Sequence, residues 1–171
     1  MNEAIFLCGF MGAGKSSIGR ALAKALGWPL LDTDALIEEE HGPIPQIFAE
    51  KGESYFRQLE AQLAKKLASS EKVIISTGGG FVLSEAVQKE LKDSCVIYLD
   101  VPFETCWKRI RYSDRPLVKS NSKEQIHQLY LKRQEIYRSV ARCSVDNGGD
   151  SAKTVAEILE KISWNTKSKI R

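Results

Sequence analysis

The stretch that decides the fold is Gly9-Phe10-Met11-Gly12-Ala13-Gly14-Lys15-Ser16. It matches the pattern G-x-x-x-x-G-K-[ST], a loop that holds the phosphates of a nucleoside triphosphate. The apolar run 4–8 before it predicts a buried strand. The pattern after it predicts a helix with one buried face made of Ile18, Ala21, Leu22, Ala25 and Leu26. A strand, the loop and a helix in this order are the context that the motif requires.

Each residue type in this loop suits an anionic phosphate. The glycines at positions 9, 12 and 14 let the backbone turn sharply and approach a ligand closely. Successive N–H groups, at the positive end of the following helix, then form an anion-binding nest. Lys15 supplies a point charge for the β- and γ-phosphates, and the Ser16 hydroxyl suits Mg²⁺.

Short apolar runs and helical patterns alternate along the rest of the chain. The runs predict strands at 29–32, 73–76, 96–99 and 143–145, and helical patterns occupy 34–41, 53–69, 84–92, 103–111, 124–141 and 151–162. This alternation predicts an α/β fold with a five-stranded parallel sheet flanked by helices. We expect a single domain over 1–171 with a frayed, basic tail at 165–171.

The composition restricts the class of partner. The net charge of +3, with both signs interspersed, is too small to indicate a nucleic-acid surface. No apolar run is long enough to span a membrane, and the first residues resemble no targeting segment. The four cysteines lack the spacing of zinc ligands and indicate reduced, mostly buried thiols. We expect a cytoplasmic protein, monomeric, that binds small molecules and neither nucleic acid nor membrane.

Two aspartates follow the second predicted strand. The carboxyl ends of strands in an open parallel sheet face the ligand crevice. Asp32 and Asp34 would project to the same side of an extended segment there. One carboxylate could then act on a Mg²⁺ shell while the other meets an acceptor hydroxyl. The alternative is that Asp32 or Thr33 caps the next helix.

Thr77 and three glycines, at 78, 79 and 80, follow the third predicted strand. Three consecutive glycines indicate a backbone that takes positive φ or one that admits another group closely. At the crevice, their N–H groups would suit an oxygen-rich substrate. A permissive strand-to-helix turn is the alternative.

Two segments interrupt the alternation of strands and helices. The polar segment 112–123 lacks periodicity and contains Arg115-Pro116-Leu117, which indicates a lid. A plain surface loop is the alternative. At 42–45, Gly-Pro-Ile-Pro separates two helical patterns, because proline forbids a continuous helix.

Two arginines on predicted helices complete the set of candidates. Arg57 is followed three residues later by Glu60, which is positioned to pair with it and hold its guanidinium. Arg133 lies within the helical pattern 124–141. Because most arginines lie on solvated helix faces, neither would stand out without the other motifs.

Taken in order, these motifs resemble those of the shikimate kinases over residues 4–162. The residues that carry the resemblance are GFMGAGKS at 9–16, Asp-Thr-Asp at 32–34, Ile37-Glu38, Ile47-Phe48, Gly52-Glu53, Phe56-Arg57-x-x-Glu60, Thr77-Gly-Gly-Gly80, Arg115-Pro116-Leu117 and Arg133-x-x-x-Tyr137. The resemblance implies a P-loop fold like that of nucleoside monophosphate kinases. It also implies ATP- and Mg²⁺-dependent phosphorylation of the 3-hydroxyl of shikimate, on the route to chorismate and aromatic amino acids.

The resemblance further implies roles for individual residues. Arg57 and Arg133 would hold the shikimate carboxylate. Asp34 would take the reacting hydroxyl, as a base or by orienting it. Lys15 and Arg115 would neutralise charge on the transferred phosphoryl group. The other implied site residues are Gly12, Ala13, Gly14, Ser16 and Ser17 around ATP, Arg109 on the adenine, Phe48, Phe56, Gly78, Gly79 and Gly80 around shikimate, and Ser16 and Asp32 on Mg²⁺.

The sequence departs from the family pattern at two places. The turn at 42–45 carries more proline than that pattern, so we expect altered angles between the shikimate-binding helices at 33–61. The loop 147–151 lacks a basic residue that relatives place near adenine, so we expect base contacts from its backbone.

Three other functions remain as alternatives at this point. They are a kinase acting on gluconate or a nucleoside monophosphate, a regulatory GTPase, and a nucleotide-binding module without activity. Against the GTPase, the chain lacks the Asn/Thr-Lys-x-Asp pattern that reads guanine.

Overall fold

Five parallel strands form the sheet that positions the loops of the site. The computed structural model describes the backbone of residues 4–168 and the side chains of 4–163. Its strands are β1 (Ile5–Cys8), β2 (Leu30–Asp32), β3 (Ile74–Ser76), β4 (Cys95–Asp100) and β5 (Cys143–Asp146). They lie in the order β2-β3-β1-β4-β5, and every neighbouring pair is parallel. The predicted five-stranded parallel sheet is confirmed.

Helices connect the strands and cover both faces of the sheet. They are α1 (Lys15–Leu26), α2 (Thr33–His41), α3 (Ile44–Ala68), α4 (Glu85–Leu91), α5 (Phe103–Ile110), α6 (Pro116–Ser120), α7 (Lys123–Val140) and α8 (Ser151–Ser168). Because helices bury both faces, the strands read as continuous apolar runs, and β1 and β3 are buried along their whole length. Cys8, Cys95 and Cys106 are buried as predicted.

The predicted helix at 53–69 is confirmed as the second part of α3, whereas the helical segment at 44–51 was not predicted. The helix begins at Ile44, because Pro45 lies in its first turn, where a missing N–H costs nothing. Gly52, with φ of 82° and ψ of 170°, interrupts the helical geometry. The predicted segment 53–69 is therefore the second part of a kinked helix. The predicted break between the two helical patterns is confirmed, but it covers only Gly42 and Pro43, because α2 ends at His41 and α3 begins at Ile44.

The buried face of α1 also differs from the prediction. Ile18, Gly19 and Leu22 are buried, whereas Ala21 and Ala25 are exposed. The helix lies so close to β2 that a Cβ atom at position 19 would be 2.8 Å from a methyl carbon of Leu30. This close packing places the glycine, rather than the alanines, against the sheet.

The two remaining segments contain more helix than their composition indicates. The segment 112–123 includes the short helix α6, which packs Val118 into the core. At the C-terminus α8 continues to Ser168, past the predicted end at residue 162, and residues 169–171 of the predicted frayed tail lie outside the described residues. Among the described helices, none combines the length and the apolar character needed to cross a bilayer.

Register between the strands places their carboxyl ends at one level. Ser76 at the end of β3 pairs with Leu7 of β1 on one side and with Asp32 of β2 on the other. The loops that follow these three strands therefore leave the sheet at the same edge. They are the phosphate loop, the aspartate pair and the triple glycine.

Candidate active site

The phosphate loop joins β1 to α1 through a left-handed residue. Gly14 caps the helix with φ of 87° and ψ of 20°, a conformation that favours glycine. A Cβ atom at this position would also lie 2.6 Å from Nδ2 of Asn147. Both the conformation and the space therefore require glycine here.

Lys15 folds back over the loop. Its Nζ donates hydrogen bonds to the carbonyl oxygens of Gly9, at 2.7 Å, and Phe10, at 3.0 Å. Burial, together with the positive charge of Arg115, lowers the pKa of Lys15 to about 8. The ammonium group is therefore charged at pH 7 but loses its proton a little above that.

A cleft of about 300 Å³ lies over the loop. Its lining includes Gly12, Gly14, Lys15, Ser16, Ser17, Arg109 and Arg115, all implied ATP-binding residues, together with Asp32 and Asp34. Ala13 does not line it: the residue is buried, and its N–H donates to the Phe10 carbonyl at 3.1 Å. We call this space the phosphate cleft.

Asp32 and Asp34 lie in different local structures. Asp32 caps α2, because its Oδ1 accepts hydrogen bonds from the N–H groups of Asp34, at 3.0 Å, and Ala35, at 3.1 Å. This capping starts the helix at Thr33, so Asp34 lies in its first turn. The predicted extended segment is therefore wrong, although both aspartates line the phosphate cleft. Burial, and then the nearby Asp32 carboxylate, raise the pKa of Asp34.

The triple glycine follows β3 and admits other side chains closely. Of the two explanations, positive φ is excluded, because the backbone at 78–80 does not adopt it. A Cβ atom at Gly78 would collide with the Asp34 carboxylate, and one at Gly80 would lie 2.8 Å from Nη1 of Arg57. The glycines therefore make room for the two side chains that the motif analysis assigns to the substrate.

Hydrogen bonds hold this glycine loop from three directions. The N–H of Gly78 donates to Oγ1 of Thr33 at 2.9 Å. Nη1 of Arg57 donates to the Gly80 carbonyl at 3.2 Å. The hydroxyl of Tyr137 donates to the Gly79 carbonyl at 2.6 Å.

A second and larger cleft, of about 580 Å³, opens beside the glycine loop. Its lining includes the implied shikimate-binding residues Asp34, Phe48, Phe56, Arg57, Gly78, Gly79, Gly80 and Arg133, and also Arg115. The rings of Phe48 and Phe56 pack with centroids 4.9 Å apart and form an apolar wall. Ile44, Pro45 and Leu117, which the sequence alone did not identify as site residues, line it too. We call this space the acceptor cleft.

The two arginines of the acceptor cleft differ in their partners. Arg57 pairs with Glu60 at 2.6 Å, as predicted, and with Glu53 at 3.2 Å. Burial raises the pKa of Glu60, and the charge of Arg57 opposes that change. Arg133 lies beside Gly79, and its Nε is buried without a hydrogen-bond partner.

The two clefts meet. Both are lined by Met11, Asp34, Gly78, Gly79 and Arg115. A group held by the phosphate loop and a group held by the arginines therefore approach each other at Asp34.

Tyr137 is a functional candidate that the sequence alone placed in a motif without a role. Its ring is 1% exposed and stacks on Tyr98 with centroids 5.4 Å apart. Tyr98 in turn donates to Asp100 at 3.1 Å, and Arg138 pairs with the same carboxylate at 3.0 Å. The four-residue spacing from Arg133 puts both side chains on one face of α7. This spacing is the feature of the sequence that could have identified Tyr137 as part of the site. Tyr137 thereby fixes α7 relative to the glycine loop.

Comparison with known proteins gives a consistent result. The family model for shikimate kinase matches residues 11–163. A shikimate kinase from Persephonella marina is 44% identical over 161 residues, which are 92% of this chain and 98% of that protein. One from Moorella thermoacetica is 41% identical over 165 residues, which are 94% of this chain and 95% of that protein.

Solved structures agree with the sequence relatives. The structure of a shikimate kinase from Acinetobacter baumannii in complex with shikimate has a TM-score of 0.86 and 37% identity, and the match covers 95% of this chain and 94% of that one. A gluconokinase from Sinorhizobium meliloti has a TM-score of 0.68 and 23% identity, over 98% of this chain and 97% of that one. The gluconokinase shows a shared fold only.

Phenylalanine substitutions at two buried tyrosines of α7 test the role of Tyr137. Tyr137→Phe removes the hydroxyl that holds the Gly79 carbonyl, so the KM for the acceptor should rise several-fold. Tyr130→Phe is the matched control, because Tyr130 is 6% exposed and donates at 2.8 Å to the Val101 carbonyl, outside both clefts. Each variant should lose about 0.5–1.5 kcal/mol of stability. Equal KM values in the two variants would contradict the positioning role.

Because the pKa of Lys15 is low, we expect nucleotide binding to be coupled to protonation of Lys15. Above pH 8 the free site holds a neutral amine, whereas bound phosphates favour the ammonium form. Titration calorimetry at pH 8.5, in buffers of different ionisation enthalpy, should show that ATP binding takes up a substantial fraction of one proton. The Lys15→Arg variant should show no such uptake. The same uptake in that variant would assign the proton to another group.

Proposed function

This chain belongs to the shikimate kinase family, and we propose that it transfers the γ-phosphoryl group of ATP to the 3-hydroxyl of shikimate. The product is shikimate 3-phosphate, on the route to chorismate and aromatic amino acids. The gluconate and nucleoside monophosphate alternatives are not favoured, because the sequence relatives are shikimate kinases, at 44% and 41% identity, and the gluconokinase resembles this chain only in fold, at 23% identity.

The observation that carries this proposal is the junction of the two clefts at Asp34, Gly79 and Arg115. Phosphoryl transfer needs the attacking oxygen in line with the transferred phosphorus, and positioning supplies most of the catalysis. An acceptor hydroxyl at Asp34 meets a γ-phosphate held by the phosphate loop. One chamber of this kind, with an anion site at each end, suits a substrate that carries both a hydroxyl and a carboxylate.

Arg57 and Arg133 hold the shikimate carboxylate in this account. Glu60 holds the Arg57 guanidinium at 2.6 Å and fixes its orientation. The buried Nε of Arg133 lacks a hydrogen-bond partner, and a buried unpaired donor is costly. A carboxylate would satisfy it, since guanidinium and carboxylate pair with two parallel hydrogen bonds. Phe48 and Phe56 then cover a face of the ring.

The residues of the phosphate cleft also suit Mg²⁺. Ser16 and Asp32 offer oxygen ligands in the same cleft, and the capping hydrogen bonds of Asp32 both use Oδ1. These two residues would hold the ion, which when bound neutralises charge on the β- and γ-phosphates.

Asp34 receives the reacting hydroxyl. Its raised pKa makes the carboxylate a better proton acceptor than an ordinary aspartate. Lys15 and Arg115 stabilise the charge that develops on the transferred group. Arg115 is exposed at the start of α6, so movement of 112–123 would bring it onto the phosphates and exclude water. That the protein acts in the cytoplasm as a monomer stays a prediction.

A substrate panel tests the proposed reaction directly. Purified protein with Mg²⁺ and ATP is assayed for ADP release with shikimate, with gluconate, with AMP, and without an acceptor. ADP release should depend on shikimate and appear with stoichiometric shikimate 3-phosphate. Release that is faster with gluconate or AMP, or independent of any acceptor, would contradict the proposal.

The pH dependence of turnover tests the role of Asp34. The reaction needs the ionised carboxylate, so kcat should fall as the pH falls through the pKa of Asp34. Because that pKa is raised, the fall should begin at a higher pH than for an ordinary aspartate. Asp34→Asn should lower kcat by about a hundredfold or more and abolish this dependence, with ATP affinity little changed. An unchanged acid limb in the variant would remove Asp34 from the chemical step.

An uncharged analogue of the substrate tests the two arginines. Shikimate with its carboxylate replaced by an amide should lose about 2–5 kcal/mol in kcat/KM, because the buried Nε of Arg133 would lack a carboxylate partner and Arg57 would keep only its pairing with Glu60 and Glu53. Arg57→Ala and Arg133→Ala should each shrink the ratio between acid and amide. Lys132→Ala, an exposed neighbour on α7, is the control and should leave it unchanged. An acid-to-amide ratio that neither arginine variant alters would mean that the carboxylate is bound elsewhere.

A further inference from the structure

The loop that follows β5 contacts the phosphate loop through one buried side chain. Asn147 is 4% exposed, and its Nδ2 donates to the Ala13 carbonyl at 2.7 Å. Its backbone N–H donates to the carbonyl of Asp100, at the end of β4, at 3.1 Å. The side chain is therefore anchored to the sheet and reaches across to the phosphate loop.

The hydrogen bond to Ala13 determines where the next N–H points. In a planar trans peptide the C=O and N–H groups point in opposite directions. With the Ala13 carbonyl held by Asn147, the N–H of Gly14 points away from Asn147, and Gly14 itself lines the phosphate cleft. A Cβ atom at position 14 would lie 2.6 Å from Nδ2, so the missing side chain admits this contact.

The side-chain oxygen of Asn147 indicates that stability is not the reason for this residue. Its Oδ1 is buried without a hydrogen-bond partner, which costs stability, and an apolar side chain in this place would avoid that cost. The Nδ2 donor has a partner, and that partner is part of the phosphate loop. A second loop carbonyl, that of Gly12, accepts from Nη1 of Arg109 at 2.8 Å, but from an exposed arginine. Of the two side chains that donate to the phosphate loop, that of Asn147 is the buried one.

We propose that Asn147 is a positioning residue for the triphosphate. It holds the Ala13–Gly14 peptide so that the Gly14 N–H is aimed at the phosphates before they bind, and it acts through the phosphate loop rather than on the adenine. This inference rests on the proposed function, because it assumes that the phosphate loop binds the triphosphate of the donor. It gives the 147–151 loop a function that needs no basic residue.

Inorganic tripolyphosphate separates the two possible actions of this loop, since it has the phosphates without the adenine. The full-length protein is titrated with Mg²⁺-tripolyphosphate, ATP and shikimate by calorimetry, for wild type and for Asn147→Ala and Asn147→Leu. Each substitution should weaken tripolyphosphate and ATP by the same factor, about tenfold or more, because one aimed donor is lost. Shikimate affinity should stay within about twofold. Asn147→Leu fills the buried site without adding a charge, so it provides the test if the alanine variant does not fold.

Thr154→Ala is the matched control. Thr154 is 3% exposed, and its Oγ1 donates at 2.9 Å to the carbonyl of Asp146, next to Asn147 in the chain. It supports the same loop without touching the phosphate loop, so its loss should leave both phosphate affinities within about twofold.

Three outcomes would overturn the proposal, and a fourth concerns only the proposed function. Unchanged affinity for tripolyphosphate in both Asn147 variants would show that the aimed peptide is unimportant. Loss of ATP affinity alone would place the action of Asn147 on the adenine. Equal losses in Thr154→Ala would reduce the effect to general loosening of the loop. Absence of shikimate-dependent ADP release in the wild type would instead refute the proposed function, while the tripolyphosphate comparison would still stand.

Discussion

The register of the three strands β2, β3 and β1 is the constraint on which the site depends. Asp32 and Leu7 both pair with Ser76, so three loops leave the sheet at one level and converge over its edge. A slip of β2 by one residue would turn Asp32 to the other face of the sheet and move the helix that it caps. Asp34 would then leave the junction of the two clefts. The hydrogen bond from the N–H of Gly78 to Oγ1 of Thr33, at 2.9 Å, joins the segments that follow β3 and β2 in this register.

Side chains of other elements hold the backbone of the converging loops. Side chains from distant elements donate to backbone carbonyls of the phosphate loop and of the triple glycine: Asn147 to Ala13, Arg109 to Gly12, Tyr137 to Gly79 and Arg57 to Gly80. Because a peptide holds its C=O and N–H in opposite directions, anchoring the carbonyls orients the N–H groups. Preorganised N–H donors stabilise anionic groups without reorganising during the reaction.

The sequence predicted the parts of the molecule that depend on local patterns. The strand, phosphate loop and α1 follow from the spacing of apolar residues and glycines, and the pairing of Arg57 with Glu60 follows from their positions on one helix. The helical segment at 44–51 was missed because Pro45 was taken only as a helix break, although proline also suits the first turn of a helix. For Asp34, the helix cap by Asp32 was one of two alternatives, and the structure decides for it.

Contacts between distant segments could not be predicted in this way. Tyr137 and Gly79 lie 58 residues apart in the chain, and Asn147 and Ala13 lie 134 apart. No local pattern in the sequence around either residue of a pair indicates that the two are in contact. The triple glycine shows the same limit. Its composition allowed either positive φ or a close approach, and only the positions of Asp34 and Arg57 in space decide between them.

The central claim is that the two clefts form one chamber in which a hydroxyl beside Asp34 meets the γ-phosphate. A crystal structure of the protein with shikimate and a non-hydrolysable ATP analogue measures this directly. The 3-hydroxyl oxygen should lie about 3–3.5 Å from the γ-phosphorus and in line with the leaving oxygen. Asp34 should lie within hydrogen-bond distance of that hydroxyl, and the carboxylate should lie between Arg57 and Arg133. A shikimate molecule bound with its carboxylate toward the phosphate loop, or with another hydroxyl at Asp34, would contradict it.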